Sequence, residues 1–374
     1  RGQFGQLAGM GQRANARGLD LNRDNTTLDA AEARALAGLL NDFDPHVLLD
    51  LHTTNGTVHA YHLTYAPPLH PDTDPAIVSE LRERWLPAVT DRVRSESGWE
   101  FFHYGNIPGT WGMTGEQGWY TFDHRPRFTT NYVGLRNRFG ILSEAYSYAS
   151  FEERILAHRR FVEAVIDYAV NGAQRLRTIV QEADRAPVAG REVALSASRV
   201  RGDTIEILLG EVRNSRNPYS GEPMRERLDV RRLERMPDYT SFEASVTTIA
   251  PAAYLVLPSE TETMDRLAAH GIGTWVLDRG GPFDVQRFTV DSVSVSELEY
   301  QRRRQTTLFG SWTDATVELP AGTVVVPVDQ PLGRIAALLL EPTSDDGLVA
   351  WSVLELDEGK RFPVLRSEKL PEGP

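Results

Sequence analysis

Two short apolar runs in the first half of the sequence end on residues that do chemistry. Val47-Leu48-Leu49 leads through Asp50 and Leu51 to His52, and Phe139-Gly140-Ile141-Leu142 leads through Ser143 to Glu144. Short unbroken apolar runs mark strands covered on both faces, which belong to α/β sheets. Ligands of open α/β sheets bind beyond the carboxyl ends of the strands. The two runs therefore deliver an imidazole and a carboxylate to one sheet edge. A neutral imidazole can ligate Zn²⁺, and a carboxylate beside it can take the proton of a metal-bound water. Asn22 and Arg23 precede the first helix, where a guanidinium fork suits a carboxylate. Arg13 offers a second cation for a developing oxyanion. Residue type and spacing alone leave metal-assisted hydrolysis beside plainer readings: a hydrogen-bonded structural histidine and a helix-entry salt bridge.

The elements that must position these residues are legible as patterns. Thr27 is placed to cap a helix over about 28–43, with Leu36, Leu39, Leu40 and Phe43 as its apolar face. Asp44-Pro45 stops it, because the residue before a proline is pushed out of the α region. A second helix spans 75–97 with Ile77, Leu81, Trp85, Val89 and Val93 inward. Residues 98–136 have little periodicity, and a stretch of that length in a compact unit is more often functional than idle. Ser150 and Glu153 form a capping box for a long helix carrying Ile155, Val162, Val165, Ile166 and Ala169.

Past about residue 184 the texture turns to strands, with turn residues at Asn214, Asn217 and Gly221. One strand–helix–strand unit covers Tyr254–Leu257, Thr263–His270 and Thr274–Leu277, and a helix is expected at Leu332–Leu340. The fold class read from this order is α/β, a mixed sheet flanked by helices over 1–185. A β-rich α+β accessory domain follows over 186–374, with a further division near 250.

Composition sets the outer bounds. The net charge of −12 (40 basic, 52 acidic residues) argues against non-specific nucleic-acid binding. No apolar run is long enough to span a membrane. Cysteine is absent, which excludes disulfides, thiol catalysis and Cys-ligated zinc and leaves His and carboxylates as metal ligands. The Arg302-Arg303-Arg304 run reads as a solvated face. His59, His62, His103 and His124 could form an unrelated site, His59 and His62, three apart, only by an unusual geometry.

Three strings in order, RANARGLDLNRD (13–24), DPHVLLDLHTTNG (44–56) and FGILSEAYSY (139–148), resemble the zinc metallocarboxypeptidases, the carboxypeptidase A-like family. The resemblance covers residues 1 to about 172. LPAGTVVVPVDQPLGRIAALLLEP near the C-terminus is similar to large bacterial members. It implies one Zn²⁺ with His52 as a ligand, Glu144 as general base and Arg13 at the oxyanion. Asn22 and Arg23 would grip the free carboxylate of a peptide or N-acyl amino acid substrate. It also implies a mobile tyrosine upstream of the glutamate, for which Tyr132 is the choice and Tyr120 the rival. The family's His-x-x-Glu zinc motif does not occur in residues 1–18. The remaining ligands are therefore expected upstream of Arg1, the chain being an N-terminally truncated piece. The family leans to a secreted or periplasmic setting. A related amide deacylase and a non-catalytic peptide- or glycan-binding protein are the alternatives.

Overall fold

Both apolar runs are strands, and they lie side by side. In a computed structural model describing residues 13–54, 56–109, 114–219, 221–354 and 361–372, a 3-10 turn at Leu21–Arg23 precedes the first α-helix, α1 (Ala31–Phe43). Strands β1 (Val47–Thr53) and β2 (Leu63–Ala66) follow. Next comes a helical stretch of α2 (Pro75–Ser79), a π turn (Glu80–Trp85) and α3 (Leu86–Ser97). Then come β3 (Phe101–His103), β4 (Trp119–Tyr120), α4 (Thr129–Leu135), β5 (Phe139–Ala145) and α5 (Phe151–Arg185).

The sheet order is β1-β5-β2-β3, with β1 parallel to β5 and β2 antiparallel to it. Odd-numbered β5 residues face the α3 and α5 side, where Phe139 and Ile141 pack with Trp85 and Phe161 in one buried cluster. Even-numbered residues face α4. Gly140 permits this packing, since a Cβ there would lie 2.6 Å from the Thr130 carbonyl oxygen. All five predicted inward residues of 75–97 are buried. The capping box is present, with Ser150 accepting from the Glu153 amide and Glu153 from the Ser150 amide.

Helix α1 differs from its sequence reading. It starts at Ala31, not after Thr27, because the buried Asp24 carboxylate takes the amides of Asp29 (2.9 Å) and Ala30 (2.7 Å). Thr27 also donates to Asp24. The buried face is Ala33, Ala37 and Leu40, while Leu39 and Phe43 are exposed. In α5, likewise, Ile155 and Ile166 are exposed, and Ala157, Phe161, Ala164 and Val165 are buried.

The remainder is β-rich. Strands β6 (Glu192–Val200), β7 (Thr204–Arg216), β8 (Pro223–Tyr239) and β9 (Ser241–Ile249) precede β10 (Ala253–Val256), α6 (Thr261–His270) and β11 (Trp275–Val276). Then come β12 (Gly281–Tyr300), β13 (Arg303–Leu319), β14 (Val324–Pro327), α7 (Gly333–Leu340) and β15 (Arg361–Ser367). A six-stranded sheet runs β11-β14-β10-β15-β12-β13. The two halves interlock: β4 pairs with β8, and one apolar cluster joins Leu40, Tyr132 and Leu135 to Tyr254, Leu339 and Val364. Arg303 is no solvated charge. It makes a two-pronged bond to Asp29 (2.7 and 2.8 Å), which Arg266 also meets at 2.8 Å. Among the described residues no helix is long and apolar enough to cross a membrane.

Candidate active site

His52 and Glu144 are register partners on β1 and β5. Neighbouring strands in register point partner side chains to the same face, so both line the floor of one cleft of about 1130 Å³. Asp50 stands on that face too, two residues before His52, and its Oδ1 lies 2.8 Å from His52 Nε2. Asn22 Nδ2 is 3.2 Å from the same nitrogen. The Asn22 oxygen is held by the amide (3.0 Å) and hydroxyl (3.2 Å) of Thr129 at the start of α4. Close packing of α4 on Gly140 thus fixes Asn22 beside the imidazole, whose Nε2–H donates to Asp50 when protonated and whose bare Nε2 accepts from Asn22 Nδ2 when not.

The electrostatics follow from burial and neighbours. Burial pushes the Glu144 carboxyl up to about 7, against the pull of His52 and with Asp50 adding to the rise. For His52 burial works downward, but the Asp50 hydrogen bond and the charges of Asp50 and Glu144 outweigh it and leave the imidazole raised. A carboxyl near 7 is poised to exchange a proton at neutral pH. The Oε2 of Glu144 and the Oδ2 of Asp50 are buried with no hydrogen-bond partner.

Arg13, Asn22 and Arg23 line the same cleft. Arg13 is tied to Asp20 (2.5 Å). Arg23 bonds its neighbour's backbone oxygen and lies 4.0 Å over the Phe128 ring, with no carboxylate partner among the described residues. Five of the six residues singled out by sequence therefore converge. Tyr132 does not join them. It is buried in the core between the halves, its hydroxyl 2.8 Å from His270 Nδ1 and 3.2 Å from the Arg136 guanidinium. Tyr120 also lies outside the cleft, stacked on Tyr239 with ring centres 4.3 Å apart. The tyrosines that do line the cleft are Tyr104 and Tyr148.

Over 129 residues, 34% of its length, the chain is 28% identical to Carboxypeptidase 2 of Trichophyton tonsurans. Carboxypeptidase 2 of Trichophyton equinum is 28% identical over 127 residues, and that of Trichophyton rubrum 26% over 127. Part of this chain is carboxypeptidase-like. The match spans about a quarter of each relative (24%), and neither a family model nor a solved structure matches.

The donor set of this cleft supplies groups of the kinds that hold a metal. His52 is a nitrogen donor, and the partnerless oxygens of Glu144 and Asp50 are of the kind that serve metals and metal-bound water. Among the described residues no group of three His, Asp or Glu is placed to hold an ion. His59, His62, His103 and His124 form no such group either; His59 lies 4.4 Å from the Tyr146 ring, and His62 is stacked on Trp99.

Sequence reading passed over four contributors. Asp50 could have been found, since alternation in a strand puts residues two apart on one face. His158 supports β1 from α5, its Nε2 2.8 Å from the His52 carbonyl oxygen. Arg154 lines the cleft from the first turn of α5. The fourth is the tip of the β7–β8 hairpin (Asn214, Ser215, Pro223, Met224, Arg225), which walls the cleft from the second half of the chain.

Proposed function

We propose that the cleft hydrolyses the last peptide or amide bond of a substrate ending in a free carboxylate. The observation that carries this reading is the pairing of His52 with Glu144 on the cleft floor, with unpaired Arg23 beside them. Arg23 offers a planar fork to the terminal carboxylate. Asn22 Nδ2, now on His52, is the second donor within reach of that group. Glu144 takes a proton from the attacking water and returns it to the leaving amine. Arg13 supports the oxyanion once its bond to Asp20 is shared. Bound Zn²⁺, held in part by His52, would polarise the scissile carbonyl and acidify the water. A related amide deacylase would use the same groups on an N-acyl amino acid.

A second reading is favoured by the lack of a three-residue metal group among the described residues: the cleft binds terminal carboxylates without hydrolysing them. One experiment separates the two. The chain is incubated with peptides bearing a free or an amidated C-terminus, with added zinc and with chelator, and released amino acid is counted. Zinc-dependent release from the free-carboxylate peptide alone supports hydrolysis. Binding of that peptide without release supports the second reading.

A further inference from the structure

The cleft holds more cationic charge than one terminal carboxylate uses. Four arginines line it: Arg13, Arg23, Arg154 and Arg225. Arg13 is paired with Asp20, and Arg23 serves the substrate terminus in the function proposed above. Arg154 and Arg225 have no carboxylate within ion-pair distance among the described residues. Arg154 lies 5.5 Å over the Phe151 ring, and its buried Nε lacks a hydrogen-bond partner. Arg225 reaches the Tyr148 hydroxyl at 3.3 Å and lies 5.7 Å over its ring. Of the carboxylates that line the cleft, Asp20 is paired with Arg13 and Asp50 with His52, and Glu144 stands beside His52 on the floor; none is within ion-pair distance of Arg154 or Arg225 among the described residues.

The hairpin that carries Arg225 is held in place by backbone. Arg227 N donates to the Tyr148 carbonyl at 2.7 Å, and Ala60 N to that of Leu208 at 2.8 Å. Gly210 lets the strand close on His59, where a Cβ would meet the carbonyl oxygen at 2.7 Å. Arg225 thus lines the cleft from an anchored hairpin, and Arg154 lines it from the start of α5.

We propose that Arg225 and Arg154 form a subsite for a second anionic group of the substrate, an acidic side chain close to the terminal carboxylate. This deepens the carboxylate-directed function and rests on it for the orientation of the chain. Arg154, half-buried with its Nε unpartnered, is costly to keep without a counter-ion, while Arg225 is exposed at the rim; the fork of each matches a carboxylate in two-pronged fashion. A substrate carrying both carboxylates supplies the missing partners.

The test compares two peptides that differ only in Glu or Gln next to the C-terminal residue. Binding is measured by calorimetry with the full chain carrying Glu144→Gln, so that affinity is read whether or not the chain hydrolyses anything. The expected result is a preference for the Glu peptide of about tenfold or more, weakening steeply with salt. Arg225→Gln and Arg154→Gln should each collapse the ratio towards one, while Arg225→Lys retains part of it. Equal affinity for the two peptides, no affinity for either, or a preference that survives both glutamine variants overturns the proposal. Hydrolysis by the unmutated chain is scored separately. Acidic preference without turnover would leave the subsite standing and remove the hydrolase reading.

Discussion

His52 and Glu144 occupy one rung of the β1–β5 ladder, and the rung ends in the cleft. The imidazole and the carboxyl therefore keep their spacing through backbone hydrogen bonds rather than through a loop. Replacing Glu144 by Gln should leave the fold intact and lower turnover at least about 100-fold, the usual weight of a positioned proton acceptor. Steady-state kinetics on a free-carboxylate peptide reads this directly. An undiminished rate removes Glu144 from the chemistry.

Arg23→Ala is expected to act on binding. KM for a free-carboxylate peptide should rise about tenfold or more with kcat little altered, as for loss of uniform binding. The same variant should treat the amidated peptide as the unmodified chain does. A fall in kcat with KM unchanged would assign Arg23 another role.

Gly140→Ala tests how the sheet supports the site. The added methyl would strike the Thr130 carbonyl oxygen, so α4 must lift from β5. Overpacking of this kind costs about 1–3 kcal/mol. Lifting α4 also loosens Thr129 from Asn22 and Asn22 from His52. Denaturant melts should show the stability loss, and zinc affinity should fall with it. Retained stability and affinity would mean that α4 does not hold the imidazole.

Asp29→Ala removes the shared partner of Arg266 and Arg303. Only 14% of the Asp29 side chain is exposed, against 7% for Arg266 and 22% for Arg303. Arg266 would then keep only Glu262 at 2.9 Å, and Arg303 only the same carboxylate at 4.0 Å, so the loss should cost at most roughly 3 kcal/mol. Arg303→Ala, which strands no buried cation, should cost less. The order of the two urea midpoints checks the claim.

His270 gives a pH signature. Burial drives its imidazole down to about 3, below the ordinary 6.5, and it stays neutral between Tyr132 and the Thr26 carbonyl. Between those values the unfolded chain binds a proton that the folded chain refuses, so stability rises with pH and is lost as pH falls below 6.5. His59, His62 and His70 are lowered to about 3 in the same way. In His270→Gln the slope of unfolding free energy between about pH 4 and 6 should drop by about 1.4 kcal/mol per pH unit, one proton's share. An unchanged slope would show that His270 does not contribute.

Sequence was most informative where large apolar residues set the period. Ile77 through Val93 announced the inner face of 75–97, and Ser150 with Glu153 announced where α5 begins. It misled where small residues pack. Helix α1 buries Ala33 and Ala37 in a cluster with Leu19, Leu28 and Ala30, so the bulkier Leu39 and Phe43 suggested the wrong face. The floor of the site was readable because a strand carries its own register. Its wall was not, since the approach of the β7–β8 tip depends on Gly210 closing on His59, a contact 151 positions apart in numbering (210 against 59). Tyr132 shows the same limit: nothing in its neighbourhood in sequence points to His270 as its partner.

Strand β1 is the outermost strand of its sheet, with β5 on one side and, among the described residues, no strand on the other. Its outer edge pairs with no strand among the described residues, and Leu51 on it is exposed, as are Phe151 and Ile155 in the first turns of α5. A strand added there would run about 4.8 Å away, and every second residue would stand next to His52 or Asp50. The sheet edge next to the cleft floor is thus one that another backbone could join.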